Sequence, residues 1–375
     1  MQNKKILVLY QDWEGWFLKN YNKFEYWFKN LDRAYDRKND YYILSLSNIK
    51  RGIIKKEDNI KIELFKSASY RQIIDFFSFG KRIKQVIREQ KPDYIYCPFL
   101  YLASLVPKSD KYRIIGFLRD KTPKMIKAGG GIRSIYGDIF YLLDYLALKN
   151  IDTLLYNGAS LRDYAKKFGF KGKLIFSPRP VSDTEYFEDC KPDEIINKYD
   201  LNDKKVILTI ARLTKGKNID LGIKSIKRLP SDYAYLIVGE GNEKENLIEI
   251  ARKNGVSERV FFAGFVKHEN IWSYYKVADI FWLLSKSNFE GTPNVLQESL
   301  FAKVPCIVSK IPAMKNIIDD KETGLILKTW QAKELAEKTM DLLENDKLYK
   351  QIQENGYRKV IEYTKKNVKV KDLFL

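Results

Sequence analysis

Cysteine is scarce in this 375-residue chain. Cys97, Cys190 and Cys306 stand far apart and are odd in number, which argues against a disulfide framework or a zinc site and for a reducing interior. Long apolar runs are missing too. The nearest candidate, Tyr94 to Pro107 (YIYCPFLYLASLVP), is broken by prolines and falls short of the roughly 18 uncharged apolar residues of a membrane span. The opening MQNKKILVLYQDWEGW has an apolar core of about six residues, too short for a secretory signal. No solenoid-type repeat is present. These absences lead to the expectation of a cytoplasmic protein, with contact to the inner face of the membrane left open.

Acidic residues are also in short supply. Lys and Arg number 67 against 48 Asp and Glu, a formal charge of +19. Residues 1–190 hold 35 of the cations and 22 of the acids, so +13 of the excess lies in the first half. Such a balance implies an acidic partner: a nucleotide, anionic lipid, a phosphorylated acceptor or nucleic acid. Apolar content of 45% and charged content of 31% describe a globular chain, long enough for two domains with separate cores.

The chain alternates buried runs with helical patterns, the signature of parallel α/β layers. In the first half, strands are expected at Ile6–Leu9, Tyr42–Leu46, Ile60–Leu64, Asp93–Cys97, Arg113–Leu118, Thr153–Tyr156 and Lys173–Phe176. Helices are expected over 19–38, 70–89, 137–149 and 160–168. Lys81, Arg82, Lys84 and Arg88 form either a solvated helix face or a lipid-facing one. Trp13 and Trp16, beside Gly15, suit core packing or stacking on a sugar ring. Residues 121–136 (KTPKMIKAGGGIRSIY) read as a loop that combines Lys124, Lys127 and Arg133 with Gly129–Gly131; it is a simple mobile loop or a contact for acceptor phosphate or membrane. The Pro, Asp and Ser-rich stretch 177–194 is the expected linker.

The second half is organised around Ala278 to Ser309 (ADIFWLLSKSNFEGTPNVLQESLFAKVPCIVS). Two buried runs flank a short helix from about Asn294 to Ala302, a parallel βαβ unit whose first loop lies at a strand's carboxyl end. Thr292 is placed to cap the helix, with Pro293 in its first turn. The amides near Asn294 and Val295 then favour an anion. Glu290 and Glu298 suit the hydroxyls of a long ligand or, on spacing alone, two solvated acids on a surface helix. Upstream, Val206–Ile210 delivers Arg212 and Lys217, two cations fit for a pyrophosphate. Tyr235–Val238 leads into Gly239-Glu240-Gly241, and Val260–Phe262 into Gly264-Phe265-Val266. His268, the only histidine, is expected to face solvent. Helices close the chain at 331–345 and 346–365.

Glu290, seven residues, then Glu298, within EGTPNVLQESLFAKVPCIVS, resembles the E-x7-E signature of retaining family 4 glycosyltransferases of the GT-B fold. ARLTKGKNID, LIVGEGNEKENL, VFFAGFV and ETGLILK follow that family's order, so the similarity covers about Lys204 to Lys328 and weakens before Leu174. The resemblance implies two Rossmann-like domains facing across a cleft: 1–185 on the acceptor side, 186–355 for the nucleotide-sugar, and a last helix, 356–375, returning to the first. It implies transfer of a sugar from a UDP- or GDP-linked donor to a glycan or lipid-linked hydroxyl, with retention and without cofactor or metal. Arg212, Lys217 and Glu290 would be catalytic. Gly239, Gly241, Phe265, Val266, Gly291, Thr292, Asn294, Val295 and Glu298 would hold the donor, with Glu298 on the ribose. Many relatives carry a histidine after the strand matching 113–118. Here Arg119 and Asp120 stand there, and Asp120 is the candidate for its role. That departure leaves a catalytically degenerate binder of nucleotide-sugar or glycan as the alternative. Nucleic-acid binding rests on charge alone, lacks a motif and is not expected.

Overall fold

The computed structural model describes residues 3–12, 39–47, 52–57, 60–66, 73–127, 132–286 and 291–374. Trp13, Gly15, Trp16, the expected helix over 19–38, Gly129–Gly131 and Glu290 lie outside the described residues. The chain divides into a first unit, Met1–Ser177 with Asn367–Leu375, and a second, Pro178–Lys366.

The sheet of the first unit runs β3-β4-β2-β1-β5-β6-β7-β8: β1 Lys5–Asp12, β2 Asp40–Ser47, β3 Gly52–Glu57, β4 Ile60–Lys66, β5 Tyr94–Cys97, β6 Arg113–Leu118, β7 Thr153–Tyr156 and β8 Lys173–Phe176. The pairs are parallel except β3 with β4, which is antiparallel and closes one edge. Parallel strands need helical crossovers that cover both faces, which is why β1 reads as an unbroken apolar run. Its side chains alternate between the faces. Leu7 and Leu9 join the core under helix Ile73–Gln90, with Phe79, Ile83 and Val86, while Ile6 and Val8 join the opposite core with Tyr96, Ile115 and Phe374.

Two local expectations change. Residues 121–136 are not one loop but helix Thr122–Lys127 and the first turns of helix Ile132–Asn150. Pro123 suits a first helical turn because no N–H partner is needed there. The apolar stretch after β5 is a 3-10 turn, Leu100–Leu105, whose Leu100 to Ala103 are buried. Among the described residues no helix is long and apolar enough to cross a membrane.

The sheet of the second unit is parallel throughout, in the order β11-β10-β9-β12-β13-β14. Its strands are β9 Lys205–Ile210, β10 Tyr233–Val238, β11 Val260–Gly264, β12 Ile280–Leu283, β13 Cys306–Val308 and β14 Leu325–Ile326. Tyr235 and Trp282, both fully buried, pack at 5.1 Å between ring centres.

The division falls at Ser177 instead of after residue 185. Ser177 still extends the β7 pairing, its N–H donating to Tyr156 O (2.8 Å), whereas Asp183 is already held by the second unit, its carbonyl accepting from Trp272 Nε1 (2.7 Å). The expected return of residues 356–375 is also shorter than its sequence pattern. Helix Asp346–Lys365 stays with the second unit. Gly356 lies so close to Leu300 that a Cβ there would sit 2.8 Å from its side chain, and the Tyr363 hydroxyl hydrogen-bonds Thr292 Oγ1 at 2.6 Å. Only residues from Asn367 on belong to the first unit.

Candidate functional site

In the second sheet the chain leaves β9 for β10 and β11 on one side, then returns to place β12 on the other, with Ile280 opposite Ile207. The order therefore reverses between β9 and β12, the position in an open parallel sheet where the diverging loops leave a crevice beyond the strand ends. Arg212 and Lys217 follow β9, and helix Asn294–Phe301 follows β12. The two loops meet: Lys286 N–H donates to Gly216 O at 2.8 Å, one residue from Lys217. Arg212 is exposed and Lys217 half-buried at the end of a 3-10 turn, Lys215–Lys217.

The loop after β10 is sewn onto the loop after β9. Ala211 N–H donates to Val238 O (3.0 Å), Leu213 N–H to Glu240 O (2.9 Å) and Glu243 N–H to Leu213 O (3.1 Å). Gly239 also donates to Gly264 O (2.8 Å), which ties in β11. This approach admits no side chain. A Cβ on Gly239 would lie 1.9 Å from Ala211 O, and one on Gly241 2.2 Å from Leu213 O. Gly239 also has φ +134, a conformation L residues rarely adopt. Backbone hydrogen bonds thus fix the segment carrying Arg212, with Gly239 and Gly241 as its floor. Phe265, just past β11, is 77% exposed, an unusual position for a large apolar ring, and Val266 is half-buried.

Helix Asn294–Phe301 departs from the expected capping. Pro293 is its N-cap and provides no side-chain cap bond. Thr292, 5% exposed, turns the other way, to the Tyr363 hydroxyl and to Asn316 Nδ2, which donates to Thr292 Oγ1 at 3.1 Å. It thereby anchors the loop to helix Asp346–Lys365. Gly291 is buried, Asn294 exposed and Val295 half-buried. The Asn294 and Val295 amides, in the first turn, have no intrahelical acceptor by construction and carry the positive end of the helix dipole.

Glu298, one turn further on, is 3% exposed. Its Oε2 accepts from the Tyr275 hydroxyl (2.9 Å), and its Oε1 lies 3.0 Å from His268 Nε2. The other ring nitrogen, Nδ1, is 2.6 Å from Asp183 Oδ2. His268 is exposed, as expected, and also bridges two carboxylates. The hydrogen bond to Glu298, outweighing partial burial and helped by Asp183, pushes its pKa up to about 9. Sequence reasoning missed this trio. A lone histidine two residues past a strand loop carries no periodic signal, and Asp183 lies 85 residues upstream.

Asp120 belongs to the first unit, after β6. Its Oδ1 accepts from Thr122 Oγ1 (2.5 Å) at the start of helix Thr122–Lys127. The site expectations also missed a neighbour. Asp144, 2% exposed on helix Ile132–Asn150, accepts from the Tyr164 hydroxyl (2.8 Å). Burial pushes its pKa up to about 7, with Asp120 adding to the rise. One acid inside the apolar run IFYLLDYLALKN was the available signal. Lys121, 6% exposed, is pushed down by burial and then by Lys124.

Residues 192–359 match the family model described as glycosyl transferases group 1. That match covers less than half of the chain and lies wholly within the second unit. Among curated proteins it is 34% identical over 148 residues to the N-acetylgalactosamine-N,N'-diacetylbacillosaminyl-diphospho-undecaprenol 4-alpha-N-acetylgalactosaminyltransferase of Campylobacter jejuni, 39% of this chain and 39% of that one. It is 27% identical over 193 residues to the GDP-mannose-dependent alpha-(1-6)-phosphatidylinositol monomannoside mannosyltransferase of Mycobacterium tuberculosis, 48% of this chain and 49% of that one. The chain thus spans half or less of these relatives' length. Solved structures match nearly end to end. A sucrose-phosphate synthase from Thermosynechococcus elongatus aligns with TM-score 0.74 at 13% identity over 96% of this chain and 95% of that one. Anabaena Alr3699/HepE in complex with UDP-glucose aligns with TM-score 0.72 at 15% identity over 99% and 98%. The fold class of the chain is α/β, of the GT-B type.

Proposed function

We propose that the chain is a retaining glycosyltransferase that moves a sugar from a UDP- or GDP-linked donor to a glycan or lipid-linked hydroxyl during assembly of a surface polysaccharide or glycoconjugate. The observation that carries this is the switch point of the second sheet, where the Arg212 and Lys217 loop, the glycine floor and a helix start share one edge. The acceptor class draws support from the diphospho-undecaprenol and phosphatidylinositol named in two relatives, and the donor class from the UDP-glucose complex.

As the bond between sugar and diphosphate breaks, negative charge gathers on the leaving phosphate. Arg212, Lys217 and the Asn294 and Val295 amides are built in beforehand to meet it, so they stabilise the transition state more than the ground state. These fixed cations take the role a metal would otherwise have, and the reaction as written uses no cofactor. Gly239 and Gly241 let the nucleotide approach the backbone, Phe265 and Val266 line the base, and Glu298 accepts from the ribose. Glu290 and Gly291 meet the donor sugar, and Asp120 takes the position of the histidine found in many relatives.

The test is transfer from a panel of UDP- and GDP-sugars to lipid-diphosphate acceptors, with the product anomer read by NMR. Turnover with retained configuration is expected; inversion overturns the retaining mechanism. The end of β6, with Arg119 and Asp120 in place of a histidine, favours a second reading: a binder without turnover. Donor binding by calorimetry with neither transfer nor hydrolysis across the panel would establish it.

Contact with the cytoplasmic face of an anionic membrane belongs to the same reading. Helix Ile132–Asn150 exposes Ile135, Leu142, Tyr145 and Leu146 along one side. Lys149 sits 4.2 Å over the Tyr145 ring, and a cavity of about 480 Å³ at the same helix end is lined by Phe77, Lys81, Lys84 and Lys108. Apolar insertion rimmed by cations is the chemistry of an anionic bilayer surface. Co-sedimentation with phosphatidylglycerol vesicles but not phosphatidylcholine vesicles is the expected result.

A further inference from the structure

We propose that His268 is a positioning residue for the nucleotide, holding Glu298 in the orientation that receives the ribose diol through a clamp that begins at Asp183. The inference rests on the donor reading above and adds to it a residue outside the family's motif.

Both ring nitrogens face carboxylate oxygens, at 2.6 and 3.0 Å. A neutral imidazole has one N–H and satisfies one such acceptor; two are satisfied only by the doubly protonated ring. A raised pKa of about 9 agrees with this geometry.

The clamp is anchored at both ends. Asp183 has a left-handed backbone, φ 56, and its carbonyl accepts from Trp272 Nε1. Eight residues on, Lys191 N–H donates to Ser273 Oγ (3.0 Å). Trp272 and Tyr275 stand one turn apart on helix Ile271–Lys276, so the helix that fixes Asp183 also supplies the Tyr275 hydroxyl to Glu298. The other charges nearby are engaged elsewhere: Lys267 lies 3.9 Å from Glu269, and Lys276 stacks 4.7 Å over the Phe187 ring.

A carboxylate offers about four acceptor directions. His268 takes one on Oε1 and Tyr275 one on Oε2. One direction on each oxygen remains, the pattern that receives two adjacent hydroxyls. Burying a carboxylate without such partners is unfavourable, so the clamp also makes Glu298 tolerable at its depth.

The experiment is calorimetric titration of UDP and GDP from pH 7 to 10 into wild type, His268→Ala, His268→Gln and Glu298→Gln, with thermal melts to confirm folding. For whichever nucleotide binds wild type, His268→Ala is expected to weaken affinity about tenfold at pH 7. His268→Gln, which keeps one donor, should recover part of the loss. Wild type should lose more affinity than either histidine variant as pH rises through about 9, where the uracil and guanine N–H groups titrate equally in every arm. Unchanged affinity in folded His268→Ala, or a step of wild-type size in it, overturns the positioning role. Full affinity in Glu298→Gln overturns the ribose contact itself and the proposal with it. Loss in Glu298→Gln alone spares the donor reading and removes only His268.

Discussion

The two sheets treat charge at their carboxyl edges in opposite ways. In the second unit the loops after β9, β10 and β11 are fixed by backbone hydrogen bonds over glycines, and the cation Arg212 is left exposed above them. In the first unit Arg119 and Asp120 at the end of β6 are half-buried, and two charged groups beside them are deeply buried. Lys121 is 6% exposed, and nearby Asp144, at 2%, rests on the Tyr164 hydroxyl. The first arrangement presents preset charge to a ligand; the second keeps groups whose protonation depends on packing. That contrast teaches that the Arg212 edge is fixed by backbone hydrogen bonds, whereas the charge state at the β6 edge, like that of the His268 clamp, depends on packing and pH.

The sharpest way to break the comparison is Gly239→Ala. A Cβ 1.9 Å from Ala211 O at φ +134 should cost about 3 kcal/mol of stability and abolish measurable donor binding. Urea denaturation and calorimetry check both, and a change under about 0.5 kcal/mol would show the loops to be less tightly fixed than their hydrogen bonds imply. Next in size, under the proposed mechanism, Lys217→Ala should lower kcat about a hundredfold while leaving the acceptor KM near wild type, because there the charge it would meet grows in the transition state.

The third prediction sets the two edges against each other by pH. Asp144 has a folded pKa raised to about 7, so it weakens the fold progressively from its unfolded value near 3.8 up to about 7, and by a constant amount above. Asp144→Asn should therefore gain stability relative to wild type as pH rises from 4 to 7, then hold level. His268 is raised from 6.5 to about 9. Its contribution is complete below 6.5 and is lost as pH rises through about 9, so wild type and His268→Ala should converge in melting temperature there. Slopes of the same sign in two separate windows are the expected outcome, each variant gaining on wild type up to about pH 7 for Asp144 and up to about pH 9 for His268, read by thermal melts across the range. The smallest effect is Phe265→Ala: stability within about 0.5 kcal/mol, since the ring is 77% exposed, with a fewfold loss of donor affinity if the ring covers the base.

The second unit was the more legible half because its determinants are local. The strand before Arg212 and the glycine turn at 239–241 occupy consecutive residues, and their sequence boundaries lie within two residues of β9 and β10. Thr292 was misread because the Thr-Pro pair satisfies every local rule for a cap. Its hydroxyl is taken instead by Tyr363, 71 residues on. The His268 bridge failed to announce itself for the same reason, joining residues 85 and 30 positions apart. In the first unit, helix Thr122–Lys127 was hidden by the glycine block that follows it. β3, Gly52–Glu57, was not anticipated, since Lys55 and Lys56 interrupt its apolar alternation as an edge strand allows.

The stretch from Asn367 onward gives the first unit a late-arriving component. Phe374 packs against Tyr94 and Tyr41, at 5.2 and 6.5 Å, and Val368 N–H donates to Ser177 Oγ. A ribosome releases Ile6 and Val8, which share that core, long before it supplies Phe374. The second unit can close on contiguous sequence while the first still waits for its final wedge. Removing residues 367–375 would thus injure a unit whose strands are made long before them.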